Sequence, residues 1–344
     1  MEIEQNIPLA PFTTLGVGGP ARWFVLVSNE AELIEALEWA ERAGEKAFVL
    51  GGGSNILVSD AGFDGFVIKI EIAGVEFEAE DGSVLITAGA GEDWDRLVKT
   101  CVLRGLAGIE CLSGIPGTVG GTPVQNVGAY GQEVSETIVS VRCFDRFQRN
   151  VVELSNAQCG FEYRKSIFNS TERDRYVVLS VVYRLLRGGE PKIVYKDLLE
   201  RFDGVKPTLA ATREAVLFIR RSKSMVIDPA DPNSRSAGSF FKNPIIDNSL
   251  ADSIADEVGV DRVPKFVAPD GMVKVPAAWL IERAGFNKGY VLGNAGISGN
   301  HSLAIINRGD ATAADIVALK DIIQKRVFDK FGVELHPEPI FVGF

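Results

Sequence analysis

Little in this 344-residue chain is basic, histidine-rich or continuously apolar. Its 36 lysines and arginines stand against 46 acidic residues, giving a formal net charge of -10. A nucleic-acid or anionic-membrane binder needs a basic face, so both classes are disfavoured, whereas an anionic small substrate needs only a few cations focused on one pocket. With 2 histidines and no clustered ligands, a structural zinc site is not expected. The 4 cysteines, Cys101, Cys111, Cys143 and Cys159, are widely spaced without a CxxC pair and read as reduced thiols in a cytosolic protein. No apolar run approaches the roughly 20 residues of a membrane span. The opening MEIEQNIPLAPFTTLG has neither a basic n-region nor an apolar core, so no secretory signal is expected. Internal repeats and low-complexity segments are also lacking.

What remains belongs to a folded protein: 46% hydrophobic, 24% charged, and long enough for two or three domains. The 36 glycines point to tight turns or to backbone lying close to a ligand. Residues 22–27 (RWFVLV) read as a strand and 29–44 as an amphipathic helix. Asn29 and Glu32 fit a capping box, Leu33, Ile34, Leu37 and Ala40 make the stripe, and Gly44 ends it. A short strand (AFVL), the run GGGSN at 51–55 and a strand at 66–70 complete a β-α-β order. A second helix is predicted over 93–103, with Trp94, Leu97, Val98 and Cys101 inward, and strands at 138–144 and 176–186. Further helices are expected at 212–222, 249–258 and 276–284, and a strand at 302–307. A long helix should run from the Thr312/Asp315 capping box to Phe331, with Gly332 as its stop. The last strand, VELHPEPIFVGF, should return to an earlier sheet, because that helix carries the chain about 30 Å.

Three glycine-rich passages compete as anion sites. GVGGPA at 16–21 satisfies G-x-G-x-x-A, but that fingerprint should follow a strand and open a helix. Here PFTTL precedes it and a strand follows, so a turn is the better reading. GGGSN follows a buried strand, and its glycines let successive N–H groups converge on one concavity suited to a pyrophosphate. Ser54 and Asn55 could add donors; a plain turn is the alternative. GIPGTVGGTPVQNVGAYGQ at 114–132 is too rich in glycine and proline for regular structure and leaves bare backbone on which a flat group could lie. Two such loops suggest an extended, phosphate-bearing cofactor.

GGGSN, GAGEDW (89–94), IPGTVGG (115–121) and QNVGAYG (125–131), in this order, resemble the FAD-binding domain of the vanillyl-alcohol oxidase / p-cresol methylhydroxylase type. FEYRKSIF (161–168), GSFFKNP (238–244) and LHPEP (335–339) narrow the resemblance to the UDP-N-acetylenolpyruvoylglucosamine reductase family of peptidoglycan precursor synthesis. It covers essentially the whole chain. The IVYKDLL segment is similar to that of the longer subtype, in which a loop tyrosine closes over the substrate. The resemblance implies an α+β fold in three parts: FAD subdomain 1 at 1–72 with 332–344, FAD subdomain 2 at 73–212, and a substrate-binding domain at 213–331. It implies NADPH-dependent, FAD-mediated reduction of UDP-N-acetylglucosamine-enolpyruvate to UDP-N-acetylmuramate, with hydride from flavin N5, in a monomeric cytoplasmic enzyme. Cofactor contacts are implied at Gly51, Gly52, Gly53, Ser54, Asn55, Ile56, Ile115, Pro116, Gly120, Gly121, Thr122, Gly128, Ala129 and Val178. Many oxidases of this fold tether flavin to a histidine in the cofactor domain; this chain has none before His301, so FAD should be held non-covalently.

The chemistry asks for hydride at the β carbon of an unsaturated carboxylate, stabilisation of an enolate-like charge, and a proton at the α carbon. No side chain readily supplies hydride, so a flavin recharged by a nicotinamide is the expected solution. Arg164 has the planar fork that matches a carboxylate; the resemblance makes it the enolate stabiliser, while an ion pair with Glu162 or Asp145 stays open. Ser239 is implied as proton donor, with Phe240 and Phe241 as packing that fixes it; on residues alone a turn or helix cap is the better reading. Glu338, between two prolines, is implied as the third catalytic group and could otherwise be an exposed edge residue. Tyr130, Tyr195, Lys223 and Asn243 are implied substrate contacts. Ile340 stands where relatives often carry a basic residue, which removes one expected cation. An oxidase of the same fold and a non-catalytic nucleotide-sugar-binding regulator are the competing classes. GSFFKNP and LHPEP argue against the first, and the joint presence of Arg164, Ser239, Glu338 and both glycine loops against the second.

Overall fold

Asn29 opens the first helix, α1 (Glu30–Ala43), by accepting the Glu32 N–H on Oδ1 at 3.0 Å. The Glu32 carboxylate reaches back to Ser28 N–H (2.7 Å) instead of that of Asn29, so only half of the predicted capping box forms. Gly44 ends the helix at φ 67°, a conformation open to glycine at little cost. The fully buried line is Leu33, Ala36 and Ala40, with Ile34 and Leu37 half-buried beside it. The structure is a computed structural model describing residues 1–344.

The chain divides into two compact units, the first made of Met1–Ile7, Ala21–Gly52 and Asp64–Val226. Its smaller sheet has the order Glu4–Pro8, Pro20–Val27, Phe63–Ile70, Ala47–Leu50, the last two strands parallel as a β-α-β crossover requires. Its larger sheet is antiparallel: Asn150–Ser155, Ile138–Asp145, Tyr176–Arg187, Ser83–Gly89, Val75–Ala79. Helix α2 (Trp94–Leu103), capped by Asp93, buries Trp94, Leu97, Val98 and Cys101 as predicted. Helix α3 (Lys196–Phe202) was not legible in advance. Helix α4 (Leu209–Ser222) starts earlier than expected because Thr208 caps it.

The second unit comprises Pro8–Pro20, Gly53–Phe63 and Ile227–Phe344. It contains α5 (Asn248–Val258), α6 (Ala277–Arg283) and α7 (Ala313–Phe331). The Thr312/Asp315 capping box forms at α7, and Asp60 also accepts the Ala313 and Ala314 N–H groups at 2.7 and 2.9 Å.

These units differ from the three-part division read from sequence. Residues 1–72 and 73–212 are not separate bodies, since Val25, Leu33 and Phe66 share one core with Val98, Val141 and Val181. The boundary falls after Val226 rather than at 212. Leu15, Val17 and Leu57 are buried in the core of the C-terminal unit, which draws 8–20 and 53–63 into it. The end of the chain does return to an earlier strand: Ile340–Val342 pairs in parallel with Ile56–Val58, within that same second unit. The ladder is only three residues long, because Pro337 and Pro339 cannot donate to it. No helix is long and apolar enough to cross a membrane.

Candidate active site

Strand Ala47–Leu50 delivers Gly51 and Gly52 against the second glycine loop. A Cβ at Gly52 would lie 2.5 Å from Gly117 Cα and 2.9 Å from Thr118 N, and one at Gly51 3.2 Å from Thr118 Oγ1. That loop is pinned from α2: Trp94 N–H donates to Gly117 O (3.1 Å), Val119 N–H to Glu92 O (2.8 Å) and Trp94 Nε1 to Leu112 O (3.1 Å). Thr118 Oγ1 is buried with no protein partner. Such an orphan costs free energy unless a ligand or water meets it. Bare backbone on two rigid loops, beside an unsatisfied buried hydroxyl, fits the polar parts of a dinucleotide cofactor.

Not every glycine of these loops serves that end. Gly53 has φ 63° and a Cβ there would meet Phe12 O at 1.8 Å, while a Cβ on Gly120 would meet that of Ala90 at 2.7 Å. Both therefore answer to packing, and Gly52 answers to the close contact between the two loops, which a Cβ there would force apart. The Thr122 hydroxyl is spent on Val119 O and Tyr183 Oη. Ile115 and Pro116 are half-buried, Gly121 faces open space, and Val178 is buried opposite Cys143. Gly52→Ala is expected to yield a folded protein with little bound flavin, read as the 450 nm to 280 nm absorbance ratio. Near-stoichiometric flavin in that variant would refute the cradle.

In the same unit, Arg164 sits at φ 54° and donates from Nη2 to Gly128 O at 2.7 Å. Asn169 Nδ2 donates to the Arg164 carbonyl (3.3 Å), and Ser166 with Asn169 forms a capping box below it. Of the two carboxylates considered as its ion-pair partners, Glu162 pairs with Lys165 and Asp145 with Arg175. Tyr130 is likewise at positive φ, 50°, and meets Tyr195 edge-on with ring centroids 5.2 Å apart. Left-handed non-glycine residues cost about 1–3 kcal/mol each and cluster at functional sites. Burial pushes the Tyr130 phenol up, against the pull of Arg220 and Lys223. Burial also works against the Lys223 ammonium, but its 2.6 Å bond to Asp197 prevails and holds it above the ordinary range.

Arg220 was missed by sequence reasoning. It is 7% exposed, donates to Met225 O (2.6 Å), hydrogen-bonds Tyr130, and leaves Nε without a partner. Burial lowers its pKa. The signal existed: Arg213, Val216, Leu217 and Arg220 fall on one helical face, so two arginines occupy core-facing positions. Arg213 grips Asp95 bidentately at 2.6 and 2.7 Å, and Asp95 also accepts Gly114 N–H, fixing the start of the glycine loop.

Burial opposes ionisation of Asp95, yet the Arg213 and Gly114 bonds outweigh it and hold the carboxyl below its usual range. A depressed carboxyl contributes stability above its unfolded pKa of about 3.9 and loses it as pH falls through the folded value. The melting-temperature gap between wild type and Asp95→Asn should therefore be steady from neutral pH to about pH 5 and narrow below about pH 4. An equal gap under strong acid would show that Asp95 is not the ionised anchor.

In the second unit, Phe240 N–H donates to Leu303 O (2.8 Å), Glu338 N–H to Phe240 O (2.9 Å) and Lys242 N–H to His336 O (3.0 Å). GSFFKNP is thus held on both edges from Phe240 onward, after a bend at Gly238 and Ser239. Phe240 and Phe241 are 0% and 2% exposed, packed edge to face at 5.5 Å. Truncating either would cost about 3–5 kcal/mol, which explains two adjacent aromatics beside one half-buried serine. Glu338 lies ahead of the final strand rather than within it; its carbonyl accepts Asn55 Nδ2 at 3.3 Å, and Asn55 O accepts Ile340 N–H at 3.0 Å. Ser239, Glu338 and Asn55 are thereby tied into one backbone network. Asn243 accepts the Ala277 N–H at the N-terminus of α6 on its Oδ1 (2.9 Å), a structural duty the sequence did not suggest.

Residues 21–149 match the FAD binding domain model, and residues 229–342 match the model described as UDP-N-acetylenolpyruvoylglucosamine reductase, C-terminal domain. Fold and cradle together define an FAD-dependent oxidoreductase. A UDP-N-acetylenolpyruvoylglucosamine reductase of Thermobifida fusca is 48% identical over 98% of both chains. That of Saccharopolyspora erythraea is 48% identical over 97% of this chain and 94% of its own. The crystal structure of the Thermus caldophilus reductase is 27% identical, covers 99% of each chain and superposes with a TM-score of 0.67. The chain belongs to the UDP-N-acetylenolpyruvoylglucosamine reductase family.

Proposed function

We propose that Arg164, Ser239 and Glu338 are the groups with which this enzyme reduces the enolpyruvyl group of UDP-N-acetylglucosamine-enolpyruvate to UDP-N-acetylmuramate at the expense of NADPH. FAD, when bound, supplies the two-electron chemistry that links the nicotinamide to the alkene. Gly51, Gly52, Ile115, Pro116 and Thr118 would hold it. The Arg164 guanidinium, steadied by Gly128 O and Asn169, offers donors to the substrate carboxylate as charge grows there. Ser239 gives its hydroxyl proton to the α carbon; a weak acid suffices because an enolate is a strong base. Glu338, fixed through its own backbone to Phe240 and Asn55, steadies the intermediate. Tyr130, Tyr195 and Lys223 bind the nucleotide-sugar.

The observation that carries this reading is the double tie of Glu338 to the Ser239 segment and to GGGSN, which joins three motifs that are far apart in sequence. The soluble nucleotide substrates support a cytoplasmic enzyme, and a monomer completes the same reading. Incubation with NADPH and the enolpyruvyl nucleotide-sugar, without oxygen, should consume both and give a product heavier by two hydrogens. Kinetics should be ping-pong, with inhibition by excess nucleotide-sugar. NADPH loss that needs oxygen and ignores the nucleotide-sugar would overturn the reading in favour of an oxidase.

A further inference from the structure

Glu110 is fully buried, carries a carboxylate, and receives none of its hydrogen bonds from a cation. It sits on a single helical turn, Glu110–Leu112, under the second glycine loop. Three separate segments donate to it: Gly108 N–H at 2.7 Å, Gln132 Nε2 at 2.7 Å and Lys192 N–H at 3.0 Å. Gln132 in turn accepts Cys111 N–H at 2.8 Å, closing a ring of side chain and backbone. Cys111 Sγ donates to Lys192 O at 3.4 Å, so both backbone groups of Lys192 are held by the adjacent pair Glu110 and Cys111.

What these bonds fix is two tyrosines. Gln132 lies two residues beyond Tyr130, whose backbone is left-handed, and Lys192 lies three residues before Tyr195. Tyr130 and Ile193 pack on the small core of Cys111, Leu198, Ala215, Val216 and Ile219. The Tyr130 ring then meets the Tyr195 ring edge-on. A carboxylate without a cation survives burial only where N–H donors saturate it. Two of its three donors lead directly to the segments that carry the aromatic pair.

We propose that Glu110 is a positioning residue that holds Tyr130 and Tyr195 in register for the nucleotide-sugar; this rests on the reading of Tyr195 as a substrate contact. Glutamine cannot replace it quietly, because its amide would turn a donor toward one of three donors. Oxidised, FAD-loaded protein binds the enolpyruvyl nucleotide-sugar without turnover, so its Kd can be read by calorimetry. Glu110→Gln should raise that Kd about tenfold, the scale of a lost hydrogen bond to a charged group. The rate of flavin reduction by NADPH should stay unchanged. In a background lacking both rings, Tyr130→Ala with Tyr195→Ala, the same substitution should add nothing further. The swapped pair Glu110→Gln with Gln132→Glu, which restores a carboxylate to the ring, should recover part of the affinity. If Glu110→Gln does not fold, Cys111→Ala removes the neighbouring tie to Lys192 and should show the same dependence on the two rings with a smaller rise. Independent multiplication of the two effects, or an equal slowing of flavin reduction, overturns the proposal. If Tyr195→Ala alone leaves Kd unchanged, the substrate-contact reading fails and takes the proposal with it.

Discussion

Ser239→Ala is expected to be reduced by NADPH at the wild-type rate and then to stall when the enolpyruvyl nucleotide-sugar is added. A positioned general acid contributes about 10²- to 10⁴-fold, so reoxidation by the nucleotide-sugar should slow by that range. The substitution removes one hydroxyl and leaves the segment's supports in place: the Leu303, Glu338 and Lys242 backbone bonds and the buried Phe240 and Phe241. Fold and flavin content should therefore be unaffected, which separates a chemical role from a packing one. Ser239→Cys, which keeps a side-chain proton, should retain more activity than alanine. If Ser239→Ala reoxidises like wild type, the proton comes from elsewhere.

Arg164→Met should lose about 10²- to 10³-fold in the same half-reaction, the usual loss when a preorganised donor to a developing oxyanion is removed. Because the interaction strengthens as charge develops, kcat and kcat/KM should fall together rather than KM rising alone. Methionine occupies the same left-handed backbone position with comparable strain, so φ 54° is not the variable. Arg164→Lys should recover little, since an ammonium cannot reproduce the planar fork. A rise in KM at unchanged kcat would reduce Arg164 to a binding residue.

The features legible in the sequence are those written locally. Caps and stops at Asn29, Gly44, Thr312 and Gly332, the α2 stripe, and both glycine loops stand where spacing places them. What escaped depends on contacts between distant segments. Nothing local in LGVGG or NILVS shows that Leu15, Val17 and Leu57 lie in the C-terminal core. The seven residues of α3 are too few for a period to emerge. In the final segment, VELHPEPIFVGF was read as one strand, but the ladder covers only Ile340–Val342 and leaves Glu338 ahead of it. The catalytic candidates were found through motif resemblance, whereas their supports (Arg220, Asp95, Arg213 and Glu110) appear only once the helix faces and loops are in place. Of these, only the two arginines on the buried face of α4 left a signal in the sequence, their helical spacing, and it was not read.

The most direct test of the whole account is anaerobic and stepwise on the wild-type protein. One equivalent of NADPH should bleach the flavin band near 450 nm, and adding the enolpyruvyl nucleotide-sugar should restore it with one equivalent of UDP-N-acetylmuramate formed. A flavin that stays bleached until oxygen is admitted would contradict the reductase reading.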